Sequence, residues 1–335
     1  MKQKAAKKRG PFFLRILISL LALAVLTYAL REKLGKALLI LKSGLQWEWF
    51  FLAAGVYLVA FALIAWRLQW VLKVQEVRAN FRQVLYVSFL GQFFNLFFPS
   101  AVGGDVAKGY FLYQYSRKKL ASVTGVLLDR IFGLVTIILI IGGAVLVYSR
   151  NLADSAMKQS LYHGLYAALG LIVLGTLFFF NHGFAQKFHF LTRLIPSQEW
   201  RKNLSDFYHG IRHYRHHKLV LVVCFAISFV AQLLFFADGY LLTRSLKAAV
   251  PLWPFFVLMP LVTFASMAPS LSGLGVREAA IVLLFRPFLS AEEALAFALL
   301  YDILFYGYSF AAGLLFAFKG GLRRELIQEI TGGRA

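Results

Sequence analysis

The sequence predicts an all-α polytopic membrane protein. Three observations carry this: apolar runs long enough to cross a bilayer, scarce charge, and basic residues confined to the segments between the runs. Of 335 residues, 60% are hydrophobic and only 15% charged, where soluble domains hold roughly 25% charge. A net charge of +21 in a soluble chain would point to nucleic acid. Here Lys and Arg flank apolar stretches, which is the positive-inside pattern, so no nucleic-acid partner is expected. The single cysteine, Cys224, allows neither an internal disulfide nor a thiolate metal site.

A full span needs roughly 20 apolar residues. Six stretches meet that length: Phe12–Leu30, Trp49–Leu72, Leu120–Tyr148, Leu161–Phe180, Leu219–Leu242 and Ala294–Phe318. Basic Met1–Arg9 followed by an apolar run resembles a signal peptide, but no small-residue cleavage site follows. The run ends in Arg31-Glu32-Lys33 and reads as a retained first helix. Trp49 and Trp66 bracket the second span as interfacial aromatics do.

Two apolar regions do not fit this template. Val84–Tyr115 has basic flanks on both sides and is broken by Pro99-Ser-Ala-Val-Gly-Gly-Asp105. Its two pieces are each short for a crossing, so the chain is expected to enter, turn and return as a re-entrant hairpin. Leu252–Phe288 is broken likewise by Pro269-Ser-Leu-Ser-Gly-Leu-Gly275. With the N-terminus cytoplasmic, the span count makes this second hairpin enter from the opposite face. It also leaves the basic segment His182–Lys218 and the C-terminal tail inside, where positive charge belongs.

An internal repeat follows. Pro99, Ser100, Gly103 and Val106 match Pro269, Ser270, Gly273 and Val276 at an offset of 170. Leu127-x-Asp129-x-x-Phe132 matches Leu300-x-Asp302-x-x-Phe305 with a slightly larger offset. Each half then holds two spans, a hairpin and a third span, and an odd number of crossings inverts the second copy. The expected organisation is a cytoplasmic tail at 1–11, one membrane domain at 12–318 (repeats about 12–148 and 161–318) and a tail at 319–335. Inverted repeats with interrupted helices recur in transporters.

Backbone broken within hydrocarbon is tolerated only where protein buries it or where it lines a wet cavity. The half-helices beginning near Asp105 and Val276 would aim N-terminal N–H groups inward, where they attract anions. Asp105 is a candidate cap for the first. The Gly273–Gly275 end carries Arg277 instead and is the better anion site. Asp105, Lys108, Asp129, Arg130, Arg277, Glu278 and Asp302 fall in or near these regions. Each costs about 2.5–3.5 kcal/mol at a helix centre on insertion scales, so they should face one another or a polar cavity. Asp129 and Asp302 lie at matched depth from opposite faces. The expected substrate-binding set is Asn95, Ser100, Gly103, Gly104, Asp105, Lys108, Asp129, Arg130, Ser270, Gly273, Gly275, Arg277, Glu278 and Asp302. Structural ion pairing without a ligand is the alternative for any one of them, and Asn95 serves equally as a lining residue or a helix-end hydrogen bond.

His209, His213, His216 and His217 share a helical face. With Arg212, Arg215 and Lys218 beside them, and no carboxylate or thiolate, they read as a cationic interfacial helix rather than a metal site. Asp238 reads as interfacial. Gly273-x-Gly275 lacks the context of a nucleotide fingerprint, and no nucleophile set is visible. Neither cofactor nor metal is expected, and an enzymatic role is the less favoured reading.

The ordered set Asn95-x-x-x-Pro99-x-x-x-Gly103-Gly104-Asp105, Asp129-Arg130-x-x-Gly133 and Pro269-x-x-x-Gly273-x-Gly275-x-Arg277-Glu278 resembles a flippase-like family. That family includes the transmembrane region of bacterial lysylphosphatidylglycerol synthases, and the resemblance spans most of Phe12–Phe318. It implies an inner-membrane protein that moves a phospholipid between leaflets, with an anionic or phosphate-bearing headgroup as partner. Relatives tied to hopanoid or polyprenyl-glycolipid pathways make an accessory or enzymatic role in lipid modification the alternative, alongside a partner enzyme. The short tail after Phe318 implies no aminoacyl-transferase domain and hence no synthesis of lysyl-lipid.

Overall fold

Trp47–Val74 forms a 28-residue helix, α1. At 1.5 Å per residue it is about 42 Å long, more than the roughly 30 Å hydrocarbon core. The computed structural model describes residues 35–42, 44–96, 103–148, 210–268 and 273–318, with isolated positions at 159, 163, 166, 169 and 170. Span Phe12–Leu30 lies outside these residues, as does Leu161–Phe180 apart from isolated helical positions. The two Pro-Ser turns, with Ser100 and Ser270, also lie outside them.

After α1 come α2 (Phe81–Asn95), α3 (Gly103–Ser116), α4 (Lys119–Tyr148), α5 (Lys218–Ser245), α6 (Trp253–Ala265), α7 (Val276–Leu284) and α8 (Ala291–Phe318). Among the described residues there is no strand. α1, α4, α5 and α8 are long and apolar enough to cross a membrane. They cover four of the six expected spans, with bounds within a few residues of those read from the sequence. Each interrupted region holds two shorter helices, α2 with α3 and α6 with α7, and the members of each pair pack together.

Local chemistry sets the ends. Asn80 and Gln83 form a reciprocal capping box that starts α2, each side chain accepting from the other's backbone N–H at 2.9 Å. Ser290 and Glu293 do the same for α8. α1 stops in a left-handed residue, Glu76 at φ 53, with Glu76 N donating to Lys73 O and Val77 N to Leu72 O. α5 stops identically. Lys247 stands at φ 62, donating to Arg244 O, while Ala248 N donates to Thr243 O. Both are Schellman ends, built at a conformation that non-glycine residues seldom adopt.

α1 and α5 pack along one another at the centre. α2 packs on α8, and α6 packs on α4, so each short-helix pair leans on the last long helix of the other half. Phe236, Phe255, Met259, Ile281, Phe285 and Phe297 fill the core among α5–α8. Leu68, Leu72, Val84, Val87, Leu112 and Val126 fill its counterpart among α1–α4. Large apolar side chains also stand on the outside, Phe51, Val222, Phe229, Leu283 and Phe310 among them. Such a surface suits lipid, not water.

Candidate functional site

The start of α3 is fixed by a close helix approach. Gly104 N donates to Asn95 Oδ1 at 2.6 Å, so the last residue of α2 caps α3. The backbones meet here: a Cβ on Gly104 would lie 2.2 Å from Gly91 O, and one on Gly91 would lie 2.9 Å from Gly104 O. Gly103 and Gly104 are both buried. Asp105, expected as a cap, instead turns to Arg130 on α4, and Lys108 Nζ stands 3.6 Å from its other oxygen. Asn95 has the capping role, and it lines the cavity described below as well.

In the second half, Gly273 and Gly275 take φ of 84° and 82°, the left-handed region open to glycine, and lead into α7. Val276 N and Arg277 N both donate to Gly273 O, at 3.2 and 2.9 Å. These two first-turn donors are therefore occupied, which weakens the anion site expected at this helix end. Arg277 is 5% exposed. Its Nη2 donates to Asp302 and, at 3.0 Å, to Tyr306 Oη, and the guanidinium carbon sits 4.8 Å from the Phe305 ring. Glu278 is 3.6 Å from the same nitrogen and lies against the Asp302 carboxyl, so two acids share one guanidinium.

Asn95, Asp105, Lys108, Asp129, Arg130 and Arg277 line one cavity of about 350 Å³, although they come from both halves of the chain. Asp302 stands behind it through its bond to Arg277. Ser100 and Ser270 lie outside the described residues.

Sequence reasoning passed over Arg67, Gln232 and Tyr301, which line the same cavity. Arg67 is 3% exposed, with Nε donating to Asp129 Oδ1 and Nη1 to Ser228 Oγ, both at 2.7 Å. A lone arginine deep in the Trp49–Leu72 run was the signal for it. Four cations (Arg67, Lys108, Arg130, Arg277) thus face four acids (Asp105, Asp129, Glu278, Asp302), and their charges balance. Guanidinium groups so placed can exchange a carboxylate for phosphate oxygens. Among the described residues no group of three or more His, Cys, Asp or Glu is placed to hold a metal ion.

Residues 12–313 match the family model described as the lysylphosphatidylglycerol synthase TM region. The chain belongs to this family. As a member of this family with four long apolar helices described, it is a multi-pass membrane protein. No match is found among curated proteins or among solved structures.

Proposed function

We propose that this chain is a lipid translocase. It moves a phospholipid or lipid-linked headgroup between leaflets along a polar path at the short-helix pairs, while acyl chains stay in lipid. One observation carries the reading: charged residues from both interrupted regions line a single cavity among membrane-length helices. Membership of a family associated with membrane lipids supports it. Arg130, Arg277, Lys108 and Arg67 would engage phosphate, and the acids would hold them ready in its absence.

The short-helix pairs are read as re-entrant hairpins entering from opposite faces, in a multi-pass inner-membrane protein with both termini cytoplasmic. α2 and α3 hold 15 and 14 residues, α6 and α7 13 and 9, all short of a crossing. The inverted repeat is supported by register. α1 runs 47–74 and α5 218–245, an offset of 171 at both ends, and the left-handed residues Glu76 and Lys247 keep that offset. Helix pairings repeat too, with α2 on α8 answering α6 on α4.

The test is reconstitution in liposomes with a leaflet-accessibility assay on a fluorescent phospholipid. Translocation is expected, falling at least tenfold in Arg130→Gln and in Arg277→Gln combined with Asp302→Asn. Unchanged rates in variants that remain folded overturn the assignment of the path.

A further inference from the structure

Among the described residues, Asp238 on α5 is the one acid near the site that the ion pairs above leave out. It is 0% exposed, and neither carboxylate oxygen has a hydrogen-bond partner among the described residues. Its side chain faces the helix packing. Its position explains the oddity. With α1 and α5 of equal length, Asp238 is the counterpart of Arg67, each 20 residues past the start of its helix. In the first half this position holds a guanidinium satisfied by Asp129 and Ser228. In the second half it holds an acid, and the residue matching Asp129 is another acid, Asp302, already bonded to Arg277.

An ionised carboxylate buried without donor or counter-charge costs several kcal/mol, and the neutral acid far less. The surroundings offer proton-relay groups rather than charges. Phe235, one turn before Asp238, stands 5.2 Å from the Tyr57 ring of α1, which stacks on Tyr308 of α8 at 5.2 Å. Gly239, next to Asp238, lies against Phe297, one turn before Tyr301 on α8. Tyr57 Oη accepts from Gln92 Nε2 at 2.7 Å, which leaves its own proton to donate, while Tyr308 Oη donates to Ala54 O. On α4, Asp129 is held by Arg67, which also bonds Ser228, ten residues before Asp238 on α5. α6 carries no ionisable side chain, and Tyr240 is the tyrosine on α5 itself. Tyr301 connects the two regions, because it lines the cavity and the Arg277 guanidinium carbon is 5.6 Å from its ring. These hydroxyls and an amide do not make the oxygen cage a metal cation needs, and no cluster suited to one is found among the described residues.

We propose that Asp238 is the proton-coupling group of this protein: it holds one proton as a carboxylic acid and exchanges it with the cavity by way of Tyr301. The inference rests on the translocase reading. A phosphate that draws Arg277 from Asp302 uncovers negative charge beside Tyr301 and holds the proton on Asp238, whereas Arg277 returned to Asp302 eases its loss to the cavity. By linkage the proton then favours the phosphate, so headgroup and proton travel together.

The experiment uses the full chain in liposomes with a fluorescent phosphatidylglycerol and an imposed pH gradient. For one proton per lipid, each pH unit shifts the steady-state leaflet ratio by up to about tenfold. Asp238→Asn is expected to lose that response, whatever its rate without a gradient. Wild-type translocation that ignores the pH gradient, that follows a sodium gradient instead, or that matches Asp238→Asn overturns the proposal and leaves the translocase reading standing. No translocation by wild type sinks the translocase reading itself. Infrared difference spectra give an answer independent of transport: the wild type should show a buried protonated carboxyl band that Asp238→Asn lacks, and its absence from the wild type overturns the proposal. If Asp238→Asn does not fold, Tyr301→Phe takes its place in the gradient assay, where a full wild-type response again overturns the exchange route.

Discussion

Asp129 on α4 accepts from Arg67 on α1 at 2.7 Å, across 62 positions of sequence, with both side chains at least nine-tenths buried. A buried pair of this kind adds little net stability, yet removing one member strands the other. That cost is about 3–5 kcal/mol, whereas replacing both members by apolar residues is often close to neutral. Arg67→Met should therefore destabilise the detergent-solubilised protein severely, and Arg67→Met with Asp129→Leu should recover most of the loss. A thermal-unfolding double-mutant cycle measures the coupling. Equal stability of the single and double variants would falsify the pairing.

The approach of α2 to α3 gives a second expectation. A methyl group on Gly104 would meet the Gly91 carbonyl at 2.2 Å and the Asn95 side chain at 2.7 Å. Backbone cannot swing aside as a side chain can, so Gly104→Ala must push the two helices apart. Overpacking of this kind typically costs about 1–3 kcal/mol, and here it also breaks the Asn95 cap. Gly55→Ala on α1 meets nothing within 4 Å and is the control. Melting temperatures of the two variants should differ clearly, with Gly55→Ala near wild type.

How far these features could be read from the sequence depends on their range. α1, α4, α5 and α8 were legible because twenty consecutive apolar residues report a span without knowledge of any neighbour. That α2 ends before Pro99 and α6 before Pro269 was legible for the same reason: Pro and Gly act on their own backbone. Partners were not. That Asp105 would reach Arg130 instead of capping α3, and that Asn95 would take the cap, depends on how closely α2 approaches α3. Arg67 went unnoticed because one charge barely lowers the hydropathy of a 28-residue helix. The burial of Asp238 was not legible, because chain position alone does not reveal a helix wall closing over a side chain.

Tyr214, in the turn before α5, ties that turn to the end of α1. Its hydroxyl donates to Val71 O at 2.6 Å, and the residue is 1% exposed. Tyr214→Phe removes the bond and should cost about 1 kcal/mol. Burial also pushes the Tyr214 phenol above its ordinary range. A group whose ionisation is harder in the folded state contributes stability that is intact below the unfolded value, about 10, and is lost as pH rises beyond it. Unfolding followed from pH 8 to 11 should thus show an alkaline decline that is shallower in Tyr214→Phe. Parallel declines would mean that the hydroxyl is solvated.

Arg277 stands between two acids, so its removal and its neutralisation should differ. Arg277→Gln leaves Asp302 and Glu278 buried together without a cation, and like charges held this close cannot both stay ionised. The variant should be destabilised and should yield little folded protein. Adding Asp302→Asn removes one acid and supplies an amide that can donate to the other, so the double variant should fold at close to wild-type yield. If Arg277 serves only to hold α7 against α8, lipid translocation returns with the fold. If it engages phosphate, the double variant stays inactive however stable it becomes, because no cation remains at that position. Arg277→Lys separates the cases further, since a lysine restores the charge but not the planar donor pair. Partial activity in Arg277→Lys, together with a folded but inactive double variant, places the guanidinium in the transport path rather than in the scaffold.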